Sequence, residues 1–147
     1  MSIDAGGSIK NGRYARLKTL GEGGTGIVFK ARDTALNRVV AIKVLKGAAL
    51  KGEAYSRFMS AAQATAKLNH PNIVSIHDIG KEVDKQFFVI EFIDGMSLRG
   101  LMEASPGGQC DTQTVLRIGM DVCTALRYAH AQGVLHRDIK PENIMIT

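Results

Sequence analysis

Two places in the chain combine residue type and spacing in a way that could handle phosphate. Gly21, Gly23 and Gly26 form G-x-G-x-x-G, with Val28 two residues further on. Glycine lets a backbone turn sharply and lets its amides approach phosphate oxygens with no side chain in the way. The same spacing marks dinucleotide sites, where the loop opens a helix. Here the strand-like Ile27-Val28-Phe29-Lys30 follows, so the spacing predicts a hairpin flap, either a phosphate cradle or a plain turn. Lys43 sits in the apolar run from Val39 to Leu45. An ammonium there is unfavourable without a partner, and phosphate oxygens or an acidic side chain would serve. The plain alternative is an edge lysine facing solvent.

The strongest signal is His136-Arg137-Asp138-Ile139-Lys140-Pro141-Glu142-Asn143, an H-R-D-x-x-x-x-N run. With the glycine loop and Ala41-Ile42-Lys43 ahead of it, in that order, the sequence resembles the eukaryotic-type (Hanks-type) protein serine/threonine kinases. The wording of the run, with Asp94-Gly95-Met96-Ser97-Leu98 before it, is most similar to bacterial members.

The resemblance implies ATP and Mg²⁺ as cofactors and a protein bearing Ser or Thr as substrate. Asp138 would accept the proton of the substrate hydroxyl, Asn143 would hold one Mg²⁺, and Lys43 would pair with the α- and β-phosphates. Lys140, two residues after the aspartate, is the serine/threonine pattern and would approach the γ-phosphate. Leu20, Val28 and Ala41 would form the ceiling of an adenine pocket and Met145 its floor, with Ile90 as gatekeeper. The backbones of Glu91 and Ile93 would bond the adenine edge. Gly21, Gly23 and Gly26 would cover the phosphates. For the apolar residues, plain core packing is the competing account.

Two departures bear on activity. The helix after the third strand carries a glutamate in the family, and Ala61 stands at that position. Glu53 lies eight residues upstream, about 12 Å along a helix, and is a poor substitute. The 147 residues also contain no Asp-Phe-Gly, activation loop or Ala-Pro-Glu. The expectation is a chain truncated after its catalytic loop and inactive alone, with Arg137 lacking its activation-loop phosphate. A pseudokinase-like nucleotide- or partner-binding module is the alternative.

The elements that must position these residues form an α+β fold. Strands are expected at Tyr14–Leu20, Ile27–Ala31, Val39–Leu45, Ile73–Gly80 and Gln86–Ile93, with turns at Gly21–Gly26, Asp33–Arg38 and Val83–Lys85. One helix is expected over Ser56–Leu68, ending before Pro71. This is a five-stranded antiparallel sheet plus one helix, a kinase-like N-lobe over 13–93. Residues 94–147 would be the first helices and catalytic loop of the C-lobe. Residues 1–12 are small, polar and Gly-rich and are expected to be a flexible leader.

In the second half, a short helix is expected over Ser97–Met102. A long one would run from an Asp111 cap to about Gln132, with Gly133 as its stop. Its apolar residues cover more than one face. Several of Leu116, Met120, Val122, Cys123 and Leu126 are expected to lie uncovered, so self-association through the helix 111–132, or a partner that covers it, is expected.

Bulk properties exclude little else. Hydrophobic residues make up 45% and charged residues 22%, which is globular composition. The net charge of +5 is mild and scattered, so no nucleic-acid partner is expected. Cys110 and Cys123 lack metal-ligand spacing and are expected as free thiols. No run approaches the roughly 18 apolar residues of a membrane span, so a cytoplasmic location is expected.

Overall fold

The structure, a computed structural model, describes residues 7–23, 26–46, 52–82 and 85–147. The chain divides into two compact units, residues up to Lys67 with Ser75–Phe92, and Leu68–Val74 with Ile93–Thr147.

The first unit contains β1 (Ser8–Ile9), β2 (Tyr14–Gly23), β3 (Gly26–Asp33), β4 (Arg38–Leu45), α1 (Gly52–Thr65), β5 (Ile76–Glu82) and β6 (Lys85–Glu91). The strands form one antiparallel sheet in the order β1-β2-β3-β4-β6-β5. Alternation along the strands builds two apolar layers. Tyr14, Phe29, Ala31, Val40, Ile42, Val44, Phe87 and Val89 form the core on one face. On the other, Leu45, Phe88, Ile76, Ile79 and Ile90 pack with Phe58, Met59 and Ala62 of α1.

The sheet therefore has six strands, where the sequence suggested five. The extra strand, β1, falls in the expected leader and pairs Ser8 with Ala15 and Ile9 with Tyr14. It is held at long range: the Lys10 amide donates to Glu82 at 3.1 Å and its ammonium to Asp78 at 2.5 Å. β5 starts at Ile76 rather than Ile73, because the Ile73 amide closes a turn onto the His70 carbonyl at 3.0 Å. Helix α1 lies four residues earlier at its start and three earlier at its end than expected. Glu53 in its first turn suits the positive end of the helix. The expected turn at Val83–Lys85 falls largely outside the described residues.

A buried carboxylate anchors the β3–β4 turn. Asp33 is wholly buried and accepts two hydrogen bonds from Arg13, at 3.1 and 3.0 Å. It also accepts from the amides of Ala35 and Leu36. The Arg13 guanidinium and these amides hold its carboxyl below the usual carboxylate range, against the opposing effect of burial.

The second unit contains β7 (Met96–Ser97), α2 (Leu98–Ala104), a 3-10 turn at Pro106–Gly108, α3 (Thr112–Ala131), a 3-10 turn at Pro141–Asn143 and β8 (Met145–Ile146). Ser97 caps α2 by accepting from the Gly100 amide at 3.1 Å, so the helix starts one residue later than expected. Asp111 caps α3, accepting from the Thr114 amide at 2.9 Å and its hydroxyl at 2.5 Å. Gly133 follows the helix with φ +74, the left-handed stop expected of it.

On α3 only Ala125 and Ala129 are buried. Leu116 and Met120 are 63% and 70% exposed, and Cys123 is exposed too. Val122 and Leu126 are half-buried, while Val115, 53% exposed, joins the uncovered residues.

Candidate functional site

Each unit carries part of the expected site. In the sheet unit, β2 and β3 meet as a hairpin with Gly21 opposite Val28, Glu22 opposite Ile27 and Gly23 opposite Gly26. Of the turn expected over Gly21–Gly26, residues 21–23 and Gly26 are strand, and residues 24 and 25 lie outside the described residues. Side-chain positions built at Gly21 or Gly23 would meet nothing within 4 Å, so the sheet surface beside both glycines is open. Gly26 differs. A Cβ there would lie 2.1 Å from the Val44 carbonyl oxygen, so this glycine lets β3 approach β4.

Antiparallel partners share a face, and the register places Val28, Lys43 and Phe88 in one row and Lys30, Ala41 and Ile90 in the next. Val28, Ala41, Lys43 and Ile90 thus share the face that carries α1. Ala41 is buried, while Val28, Lys43 and Ile90 are half-buried. Leu20 is an extra residue in a bulge between Thr19 and Gly21 and is exposed. Glu91 ends β6; its amide donates to the Ser75 carbonyl at 2.9 Å, and its carboxylate accepts from the Ser75 amide at 3.3 Å.

The Lys43 side chain makes no hydrogen bond or ion pair among the described residues, and Ala61 of α1 lines the same cleft. Glu53 is not its partner: it pairs instead with Arg57, one turn along α1, at 2.8 Å.

The helical unit holds the second cluster. The Asn143 side-chain amide donates to the Asp138 carbonyl and carboxylate, both at 2.9 Å. The Lys140 ammonium lies 3.2 Å from the same carboxylate. Lys140 first and Asn143 second hold the Asp138 carboxyl below its usual range, so it is anionic near neutral pH. Asn143 directs its NH₂ group to Asp138, which leaves the amide oxygen, the atom suited to a hard cation, without a hydrogen bond. Among the described residues no three His, Cys, Asp or Glu side chains come together as a metal site.

Several supports of this cluster are not legible in the run itself. The Asp138 amide donates to Nδ1 of His136 at 3.2 Å, and the Asn143 amide closes the 3-10 turn onto the Lys140 carbonyl at 2.9 Å. Arg137 is left-handed at φ +64, a conformation that favours glycine. Arg99 of α2 reaches Glu142 at 3.1 Å, tying the loop to that helix. Met145 lies in β8 and pairs with Ser97 of β7. Ile93 begins a turn, its carbonyl accepting from the Gly95 amide at 3.1 Å.

A family model described as protein kinase domain matches residues 14–147. The chain belongs to the protein kinase family. The serine/threonine-protein kinase PrkC of Bacillus subtilis is 41% identical over 137 residues, covering 92% of this chain and 21% of the relative. A probable serine/threonine-protein kinase of Clostridium perfringens is 39% identical over 142 residues, 96% of this chain and 20% of the relative. The chain therefore spans about a fifth of the length of these curated relatives. The crystal structure of the Mycobacterium tuberculosis PknI kinase domain superposes with a TM-score of 0.88 at 28% identity. The match covers 99% of this chain and 58% of the PknI chain.

Ala61, expected from the resemblance to stand at the family's glutamate position, lies on α1 and is exposed. The Asp33 carboxylate was legible only as a turn former, since its arginine partner lies twenty residues away.

Proposed function

We propose that this chain carries the nucleotide-binding and catalytic-loop portion of a bacterial protein serine/threonine kinase, which transfers the γ-phosphate of ATP to Ser or Thr of proteins. The observation that carries the reading is the Asp138–Lys140–Asn143 cluster, an anionic acceptor braced by an ammonium and an amide.

In this reading Asp138 accepts the proton of the substrate hydroxyl, and Lys140 offsets charge at the γ-phosphate. Asn143 offers its free amide oxygen to Mg²⁺, which when bound neutralises phosphate charge. Lys43 supplies positive charge to the α- and β-phosphates, and the amides bordering Gly21 and Gly23 cover them from above. Leu20, Val28 and Ala41 border the adenine, with the Glu91 backbone bonding its edge. A kinase using ATP in this way works in the cytoplasm, and no helix among the described residues is long and apolar enough to cross a membrane.

A Lys43 side chain with no partner among the described residues, and the methyl of Ala61, favour a second reading for the isolated chain, a pseudokinase-like module that binds nucleotide without transfer. Titration calorimetry with ATP and Mg²⁺ tests what both readings share. Weak, Mg²⁺-dependent binding that falls about tenfold in Lys43→Ala is expected, the loss of one charge-assisted hydrogen bond of roughly 1.5 kcal/mol. Binding that ignores Lys43→Ala removes that residue from the site.

A further inference from the structure

The six-stranded sheet sorts its charges by face. Antiparallel partners share a face, so the register assigns a side to every paired residue. Glu22, Asp33, Asp78, Glu82 and Glu91 all fall on the face that carries Tyr14, Phe29 and Val89. Lys18, Lys30, Arg32, Lys43 and Lys81 fall on the opposite face, and among the described residues no acid of the ladders joins them. The acids are engaged where they stand. Glu22 pairs with Lys46, Asp33 with Arg13 and Asp78 with Lys10, while Glu82 accepts from the Lys10 amide and Glu91 from the Ser75 amide. Helix α1 packs on the β5–β6 side of the cationic face. The β2–β3 side keeps Lys18 and Arg32 exposed and Lys30 half-buried.

Lys18 stands directly opposite Lys30. That puts like charges on Cβ atoms about 4.5–5.5 Å apart, an arrangement that weakens a strand pair. Neither ammonium has a carboxylate among the described residues. Lys30 lies over the Phe92 ring at 4.2 Å, and Arg32 donates to the neutral Asn37 side chain at 3.1 Å. Lys18, Lys30 and Arg32 thus leave one open surface in need of negative charge, and their spacing selects its form. Lys30 and Arg32 are alternate residues of one strand, roughly 6.6–6.8 Å apart. The same interval separates side chains on one side of any extended peptide. A single-stranded nucleic acid matches less well, because Phe92, the ring beside these cations, already carries an ammonium over its face. We propose that the β2–β3 surface docks an extended acidic protein segment with carboxylates at alternate positions. One carboxylate sits between Lys18 and Lys30, and the next meets Arg32. This docking requires no nucleotide, so it stands or falls separately from the kinase reading.

The test uses the complete chain without nucleotide and a fluorescent peptide of alternating glutamate and serine, with binding read by anisotropy. A peptide with the same glutamates placed consecutively and a single-stranded oligonucleotide of equal charge serve as comparisons. Saturable binding of the alternating peptide is expected, about threefold or more tighter than the consecutive one. Added salt should weaken it, because exposed charges are screened within roughly 8 Å at physiological ionic strength. Lys18→Glu supplies the missing carboxylate within the sheet and should weaken the peptide about tenfold. Should Lys18→Glu not fold, Lys18→Gln combined with Arg32→Gln gives the same loss. Lys85→Glu, the same charge change at an exposed position of the other face, and Lys43→Ala, in the nucleotide site, should each leave affinity within about twofold. No saturable peptide binding, tighter binding of the oligonucleotide, an equal loss in Lys85→Glu, or a loss confined to Lys43→Ala would each overturn the proposal.

Discussion

Asn143 holds Asp138 twice, through its carbonyl oxygen and through its carboxylate, each at 2.9 Å from the same amide nitrogen. One side chain thus sets both the path of the loop backbone and the direction of the acceptor. The Lys140 ammonium at 3.2 Å completes a triangle of side chains, which His136 and Arg99 brace from outside.

Asn143→Ala should therefore do two things. It should weaken ATP binding roughly three- to tenfold when Mg²⁺ is present, with little change when Mg²⁺ is withheld. It should also raise the Asp138 carboxyl toward its usual value, because one of the groups lowering it is gone. Calorimetry with and without Mg²⁺ checks the first effect, and carboxyl titration by NMR the second.

The chain alone should transfer no measurable phosphate to serine peptides. Ala61→Glu would give Lys43 a carboxylate and tighten its geometry, but it would not add a second metal ligand. Phosphoryl transfer depends on neutralising charge as well as on positioning, so Ala61→Glu by itself should remain silent in a radiolabel assay. Turnover in that variant would show that geometry at Lys43 was the dominant defect.

Removing the Arg13 guanidinium should destabilise the sheet unit more than a surface ion pair would. It takes away the nearer of the two cations at the buried Asp33 carboxylate, leaving Arg38 at 3.9 Å. The amides of Ala35 and Leu36 still bond Asp33, so the expected loss for Arg13→Ala in urea unfolding exceeds that of an exposed-pair variant such as Arg57→Ala without unfolding the sheet unit.

The same pair gives a pH dependence with a definite sign. The Asp33 carboxyl is lower in the folded chain than its unfolded value of about 3.9, so its contribution is complete above that value. It is lost as pH falls from there through the depressed folded value. Asp33→Asn should flatten the acid limb of the stability profile, as read by circular dichroism against pH. A limb of unchanged steepness would mean that other carboxylates dominate it.

Helix α3 should drive self-association. Val115, Leu116 and Met120 are 53%, 63% and 70% exposed on one helix. Each large apolar side chain left in water forgoes roughly 1.5–3 kcal/mol of burial. Light scattering should find dimers or larger species at tens of micromolar, and Leu116→Lys with Met120→Lys should shift them toward monomer. A stable monomer in the unmodified chain would refute the idea.

The sheet was largely legible because alternation is a local signal. Phe29, Ala31, Ile42 and Val44 announce their strands and their shared face before any partner is known. Ser8–Ile9 was not legible, since two residues in a Gly-rich stretch become a strand only through Lys10 and its partners on β5, about seventy residues away. The early start of α1 was obscured because no apolar stripe begins until Tyr55, and the first turn is specified by Glu53 alone. In the catalytic loop the residue types were plain, but their arrangement was not. The left-handed Arg137 and the brace from Arg99 to Glu142 depend on the fold rather than on spacing.

Strand β2 is longer than the partner stretch it matches. Leu17 and Leu20 are both unpaired extras, and each shifts the pairing with β3 by one residue. Each shift alone would invert the order of faces beyond it; together they cancel, and the alternation is back in phase when Gly21 meets Val28. The glycine hairpin is thus a parity check on the strand before it. A leucine swapped at position 17 or 20 should be tolerated, because both side chains face solvent. Deleting either residue should not, since every position from there to Gly23 would turn over. Deleting both should be milder than deleting one.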